Sequence, residues 1–193
     1  MMKHFHTRIA FLLIFFVLST GKLTASPLDV ALTNFENGRY DAALEQFRAL
    51  QLASPKDPDL NFFLARSLYR KLELKTAEKL LSKSLKANPE HVESHYLLGS
   101  IQLSLVSEVN VFRKIGLAKK AVKSWEQAVN LDPSHAEALY GVASFYSSAP
   151  TIAGGDKQLS EEKITALKQL SPPWADLALA SIAAQDDQFK RSE

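Results

Sequence analysis

The chain has 193 residues, a formal net charge of +2 and no cysteine, so neither disulfides nor thiolate chemistry is open to it. Its 23 Lys and Arg nearly balance 21 Asp and Glu, which excludes the strongly basic face of a nucleic-acid binder. Its length suits a single domain with a continuous core.

At the N-terminus, Lys3 and Arg8 precede ten apolar residues, Ile9 to Leu18. That run is too short for a membrane span, which needs about 20. Small residues at Ser19-Thr20-Gly21 and at Leu23-Thr24-Ala25 suit a processing enzyme. The pattern predicts a signal peptide over residues 1–25, cleaved after Ala25 or alternatively after Gly21, and a periplasmic or secreted protein. Cleavage after Ala25 removes Lys3, Arg8 and Lys22 but no acidic residue, taking the charge from +2 to −1.

From residue 26 onward, prolines punctuate helix-forming sequence. Pro55 and Pro89 are 34 residues apart, and Pro133 follows. Before each lies a small residue four positions ahead of a large one: Ala43 and Phe47, Ala77 and Leu81, Ala121 and Trp125. Four residues is about one helical turn, so each pair shares a face and the alanine lets a neighbouring helix approach. Leu64-Ala65, Leu98-Gly99 and Val142-Ala143 repeat a large–small pattern in the preceding helices. A 34-residue helix–turn–helix period marks units that bury their apolar faces only by stacking.

These residues resemble the tetratricopeptide-repeat (TPR) pattern from residue 27 to about 184. The resemblance implies an all-α fold, a right-handed TPR superhelix (α-solenoid) of about four repeats plus a capping helix. The expected divisions are a TPR domain over 26–193, with repeats at about 26–57, 58–91, 92–135 and 136–172, and a cap over 173–193. It also implies a non-catalytic scaffold in the bacterial envelope that binds a protein or peptide, with no cofactor, and self-association through the repeat ends as an option. The family's two-carboxylate clamp needs Lys, Asn and Arg at groove slots where this chain has Leu28, Leu32, Phe63, Glu93 and Leu97.

The repeat register places Phe62, Arg66, Tyr69 and Arg70, then Tyr96 and Ser100, then Tyr140 and Ser144 toward the groove. Aromatics beside arginines carry interface energy, although these aromatics could equally pack between repeats. The third unit spans 44 residues between Pro89 and Pro133. Val111, Ile115, Ala118, Val122, Trp125 and Val129 form one stripe through Gly116, which predicts a turn at Ser107–Asn110 and a hairpin lengthened at both helices. Its tip would present Phe112, Arg113 and Lys114 as a second docking surface.

Three other constellations carry weaker chemistry. His91 and His95 lie one turn apart, but Val92 stands where a metallohydrolase motif needs Glu. His91 and His135 each fall two residues after a proline and read as helix starts, so no metal site is expected. Arg113, Lys114, Lys119, Lys120 and Lys123 read as a solvated face. Gly154-Gly155, in a stretch similar to a loop of exported bacterial TPR proteins, reads as a turn capped by Asp156; an anion-binding nest there is the route to an alternative small-ligand binder or enzyme accessory subunit.

Overall fold

The computed structural model describes residues 25–192, with the side chains of Val111, Phe112 and residues 185–192 outside that description. Of the segment expected to be a signal peptide, all but Ala25 lies outside the described residues. Among the described residues there are nine α-helices and no strand. They pair as α1 (Pro27–Glu36) with α2 (Tyr40–Ala53), α3 (Pro58–Arg70) with α4 (Leu74–Ala87), α5 (Val92–Leu105) with α6 (Val111–Leu131), and α7 (Ala136–Ser148) with α8 (Lys157–Leu170). The last helix, α9 (Pro172–Ser192), packs on both α7 and α8.

Caps explain where these helices begin. Ser26 accepts from the Asp29 N–H while the Asp29 carboxylate accepts from the Ser26 N–H, a reciprocal box at α1. Asp57, His91 and His135 open α3, α5 and α7, each with a side-chain atom accepting a backbone N–H of the first turn. By contrast, α2 and α4 have no side-chain cap and follow tight turns. The first of these turns uses Gly38 at φ 73°, and the second, 34 residues later, puts Leu72 at φ 61°. Leu72 is 77% exposed, so little packing offsets its left-handed backbone.

The small–large pairs enter the core as their spacing predicts. Ala43, Phe47, Ala77, Leu81, Ala121 and Trp125 are all buried, and Phe47 stacks on Phe63 at 5.5 Å. Ser160 and Ile164 are buried in the same relation on α8, where the Ser160 hydroxyl donates to the Ala143 carbonyl at 2.9 Å. On α9, Ala175 and Ala178 face the core while Leu177 and Leu179 stay exposed.

The third hairpin is lengthened mainly in its second helix. Helix α6 has 21 residues against 14 in α2, α4 and α8, with Gly116 inside it. Helix α5 has 14 and is prolonged only by a 3₁₀ turn over Val106–Glu108. Against 10 to 13 residues in α1, α3 and α7, the first helix is thus also lengthened, as expected, but far less than the second. Asn110 caps α6, accepting from the Arg113 N–H at 3.3 Å.

Candidate functional site

Trp125 organises the site. The indole, 5% exposed, lies between α5 and α7, and a Cβ on Gly99 or Gly141 would come within 2.6 or 2.7 Å of its ring. Only glycine permits that approach, since real Cβ contacts essentially never fall under 3.0 Å. The indole N–H donates to the Tyr96 carbonyl at 3.2 Å, so the ring is fixed in orientation as well as depth. Beyond its edge a cavity of about 550 Å³ opens between α5, α7 and the start of α6. Its walls are mainly apolar and include Tyr96, Leu103, Ile115, Tyr140, Phe145 and Pro150. Ser100 and Ser144 add hydroxyls, and the Ser144 Oγ is buried without a hydrogen-bond partner.

A second cavity, about 450 Å³, adjoins it on the α3 side. Phe62, Arg66, Glu93, Tyr96, His135 and Glu137 line it, and Tyr96 and Glu137 line both cavities. Its charges derive from a repeated pattern. Each of the caps Asp57, His91 and His135 is followed two residues later by an acid: Asp59, Glu93 and Glu137. Acids there favour the positive end of the helix dipole. Each cap imidazole also reaches back to the preceding acid. His91 Nε2 lies 2.9 Å from Asp59, whereas His135 Nε2 lies 3.7 Å from Glu93, too far for a hydrogen bond. Glu93, drawn by His135, has its carboxyl below the usual range, and Glu93 in turn raises the His135 imidazole against the opposing effect of burial.

The structure brings some of the sequence-predicted residues together and separates others. Tyr96, Ser100, Tyr140 and Ser144 converge on the larger cavity, and Lys114 joins them at its rim. The groove and the hairpin tip thus meet through Lys114. Arg113 diverges from it and lines a separate cleft toward α4. The side chain of Phe112 lies outside the described residues. Phe62 is largely buried, 8% exposed and packed against Phe63 at 5.2 Å and His91 at 5.8 Å, and it lines the smaller cavity. Arg66 lays its guanidinium over Phe35 at 4.8 Å and Phe62 at 5.9 Å. Tyr69 ties α3 to α5 through the Ser104 hydroxyl at 3.3 Å, and Arg70 is exposed at the end of α3; neither lines either of the two cavities.

Sequence reasoning missed Glu137 and read His135 only as a helix start. Their signal was present in the shared cap–acid spacing. Ile115, placed on the core stripe, is 44% exposed and forms cavity wall instead, because α6 there runs past the body of α7.

The remaining constellations resolve into structure. His91 and His95 point to different partners, Asp59 and the Pro89 carbonyl at 2.7 Å. Among the described residues no group of three His, Cys, Asp or Glu could hold a metal ion. In the Gly154-Gly155 loop, the amides of Gly154, Gly155 and Asp156 donate to the carbonyls of Thr151, Pro150 and Tyr146. Those N–H groups are consumed within the turn, which leaves no anion nest. Asp156 caps α8 as expected, accepting from Gln158 and Leu159. Lys119 and Lys123, with Lys163, Glu126 and Tyr146, line an outer cleft of about 540 Å³. Burial, aided by a 2.5 Å bond to Glu126, pushes the Tyr146 phenol up to about 12, leaving it neutral.

Stacked helical hairpins around a partly hollow face define an α-solenoid. Residues 34–104 match the tetratricopeptide-repeat family model. Among similar solved structures, TTC0263, a thermophilic TPR protein in Thermus thermophilus, is 22% identical over 81% of this chain and 79% of its own, with a TM-score of 0.68. YrrB, a TPR protein with an unusual peptide-binding site, is 18% identical over 80% and 73%, at 0.58. MamA is 18% identical over 85% of each chain, at 0.59. No curated protein matches by sequence. The chain has the fold of a tetratricopeptide-repeat α-solenoid, and residues 34–104 match the repeat family itself.

Proposed function

We propose that this chain is a non-catalytic scaffold that holds a protein or peptide on its inner face, at the junction of the third and fourth hairpins. The observation that carries this reading is the apolar cavity of about 550 Å³ lined by Tyr96 and Tyr140, with the unpartnered Ser144 hydroxyl in its wall. A concave, mostly apolar site with a few convergent polar groups is the usual form of a binding pocket. YrrB, of like fold, has a peptide-binding site, which supports a peptide as the occupant. The N-terminal apolar run and its small flanking residues support action in the bacterial envelope after loss of the leader.

A photo-crosslinking residue in place of Tyr140 tests the site in living cells. Adducts should form from position 140 and not from an exposed control on α4, Lys83. Equal adducts from both positions would refute the site. Mass spectrometry of the recovered chain should show a start near Ser26, or near Lys22 if the upstream cleavage is used. Intact Met1 in the membrane fraction would refute the envelope placement.

A further inference from the structure

We propose that the occupant is an extended peptide segment bearing a large apolar residue beside a lysine or arginine. Its apolar side chain fills the Tyr96–Tyr140 cavity, and its cation lies between Glu93 and Glu137. This rests on the scaffold reading above and specifies the chemistry of the ligand.

Three observations support it. First, the apolar and acidic compartments share a wall made by Tyr96 and Glu137, so adjacent side chains of one segment reach both. Second, the acidic compartment is undercompensated. Among the described residues, Glu93 and Glu137 form ion pairs only with His135, at 3.7 and 3.3 Å. With the ring neutral, two carboxylates face Arg66 as the one charged cation of the lining, which leaves a net negative charge. Arg66 itself is stacked over Phe35 and Phe62 and pairs with neither carboxylate.

Third, His135 offers an unused donor. Its Nδ1 accepts from the Ala138 N–H at 3.3 Å, so in the neutral ring the proton sits on Nε2. That Nε2 is buried without a hydrogen-bond partner, in a residue 8% exposed that lines the acidic compartment. The equivalent atom of His91 is satisfied by Asp59. A buried donor of this kind calls for an acceptor. A main-chain carbonyl is neutral and so escapes the repulsion from Glu93 that a carboxylate would meet. Extended peptides expose such carbonyls, while helices use theirs internally.

The test uses four pools of N-acetylated, C-amidated octapeptides with Gly/Ser flanks and a central pair that is apolar–basic, apolar–neutral, apolar–acidic or Gly–basic. Each is titrated by calorimetry against the full chain at low and high salt. The apolar–basic pool should bind about tenfold tighter than the apolar–neutral one, with the advantage shrinking in salt. Glu93→Gln with Glu137→Gln should erase that advantage, bringing apolar–basic and apolar–neutral binding to the same level. His135→Asn, which preserves a capping side chain, should weaken all three apolar pools alike. Melting curves establish that each variant is folded. Preference for the acidic pool, equality of basic and neutral pools, or Gly–basic binding as tight as apolar–basic would overturn the ligand assignment while the scaffold reading stands. Binding by no pool would overturn the cavity reading itself.

Discussion

The second and third hairpins occupy successive places in one stack yet treat the space beside them in opposite ways. In the second, Leu81 fills the large slot of α4, and Phe62, Phe63 and the stem of Arg66 occupy the space toward α1 and α2. In the third, Trp125 takes that slot and reaches the backbones of Gly99 and Gly141. Helix α6 then continues past the end of α7, and the inner face is left hollow beyond the indole. The lesson is that a repeat fold tolerates a change of slot residue only if its neighbours change in size with it, and the mismatch at the margins becomes a cavity.

The severest way to break this comparison is Trp125→Ala. With the ring buried and its N–H bonded to Tyr96, the loss should be about 3–5 kcal/mol, read from denaturant unfolding. A near-neutral result would mean that the indole does not hold α5 and α7 together. Next, Gly141→Ala should cost about 1–3 kcal/mol through overpacking against the indole. Combined with Trp125→Phe, which frees space at the ring, the penalty should be less than the sum of the single changes. Strict additivity would show that the glycine and the ring are independent.

Two substitutions should stabilise. Gly116→Ala adds a Cβ with nothing within 4 Å inside α6 and should gain about 1 kcal/mol. Leu72→Gly should relieve the left-handed turn that Gly38 accommodates one repeat earlier, for about 0.5–1 kcal/mol. A loss in the second case would indicate that exposed Leu72 makes a contact worth more than its strain.

The smallest effect should be the pH dependence of the His135–Glu93 contact. The folded imidazole titrates above its ordinary 6.5, so its contribution is complete below that value and lost as pH rises through the folded one. The folded Glu93 carboxyl titrates below its ordinary 4.5, so its contribution is present above 4.5 and lost as pH falls through the folded one. The contact therefore helps most between about 4.5 and 6.5. Melting temperature should decline slightly from pH 6.5 to 8, by the equivalent of under about 1 kcal/mol given the exposure of Glu93. His135→Asn should flatten that decline. An unchanged slope would assign it to other groups.

Much of the fold was legible because local rules and tertiary packing agree. Proline stops, the small–large slots and the Ser107–Asn110 turn all depend on neighbours a few residues away, and Asn110 caps α6 where the stripe of apolar residues begins. The site was less legible. Phe62 reads as groove from helical phase, but its burial depends on Phe63 and on His91 of the following hairpin. Lys114 and Tyr140 read as two separate surfaces, because only the length of α6 against the shorter α7 brings them to one cavity.

The sequence by itself determined the helical hairpins, their stacking order and which side chains enter the core, since periodicity and capping act over one or two turns. It also carried the cap–acid pattern at Asp59, Glu93 and Glu137. Only the tertiary structure decided that His91 finds its acid at 2.9 Å while His135 falls short at 3.7 Å. Such differences depend on how far successive hairpins are displaced, which the size of one indole and the length of one helix control across residues distant in the chain.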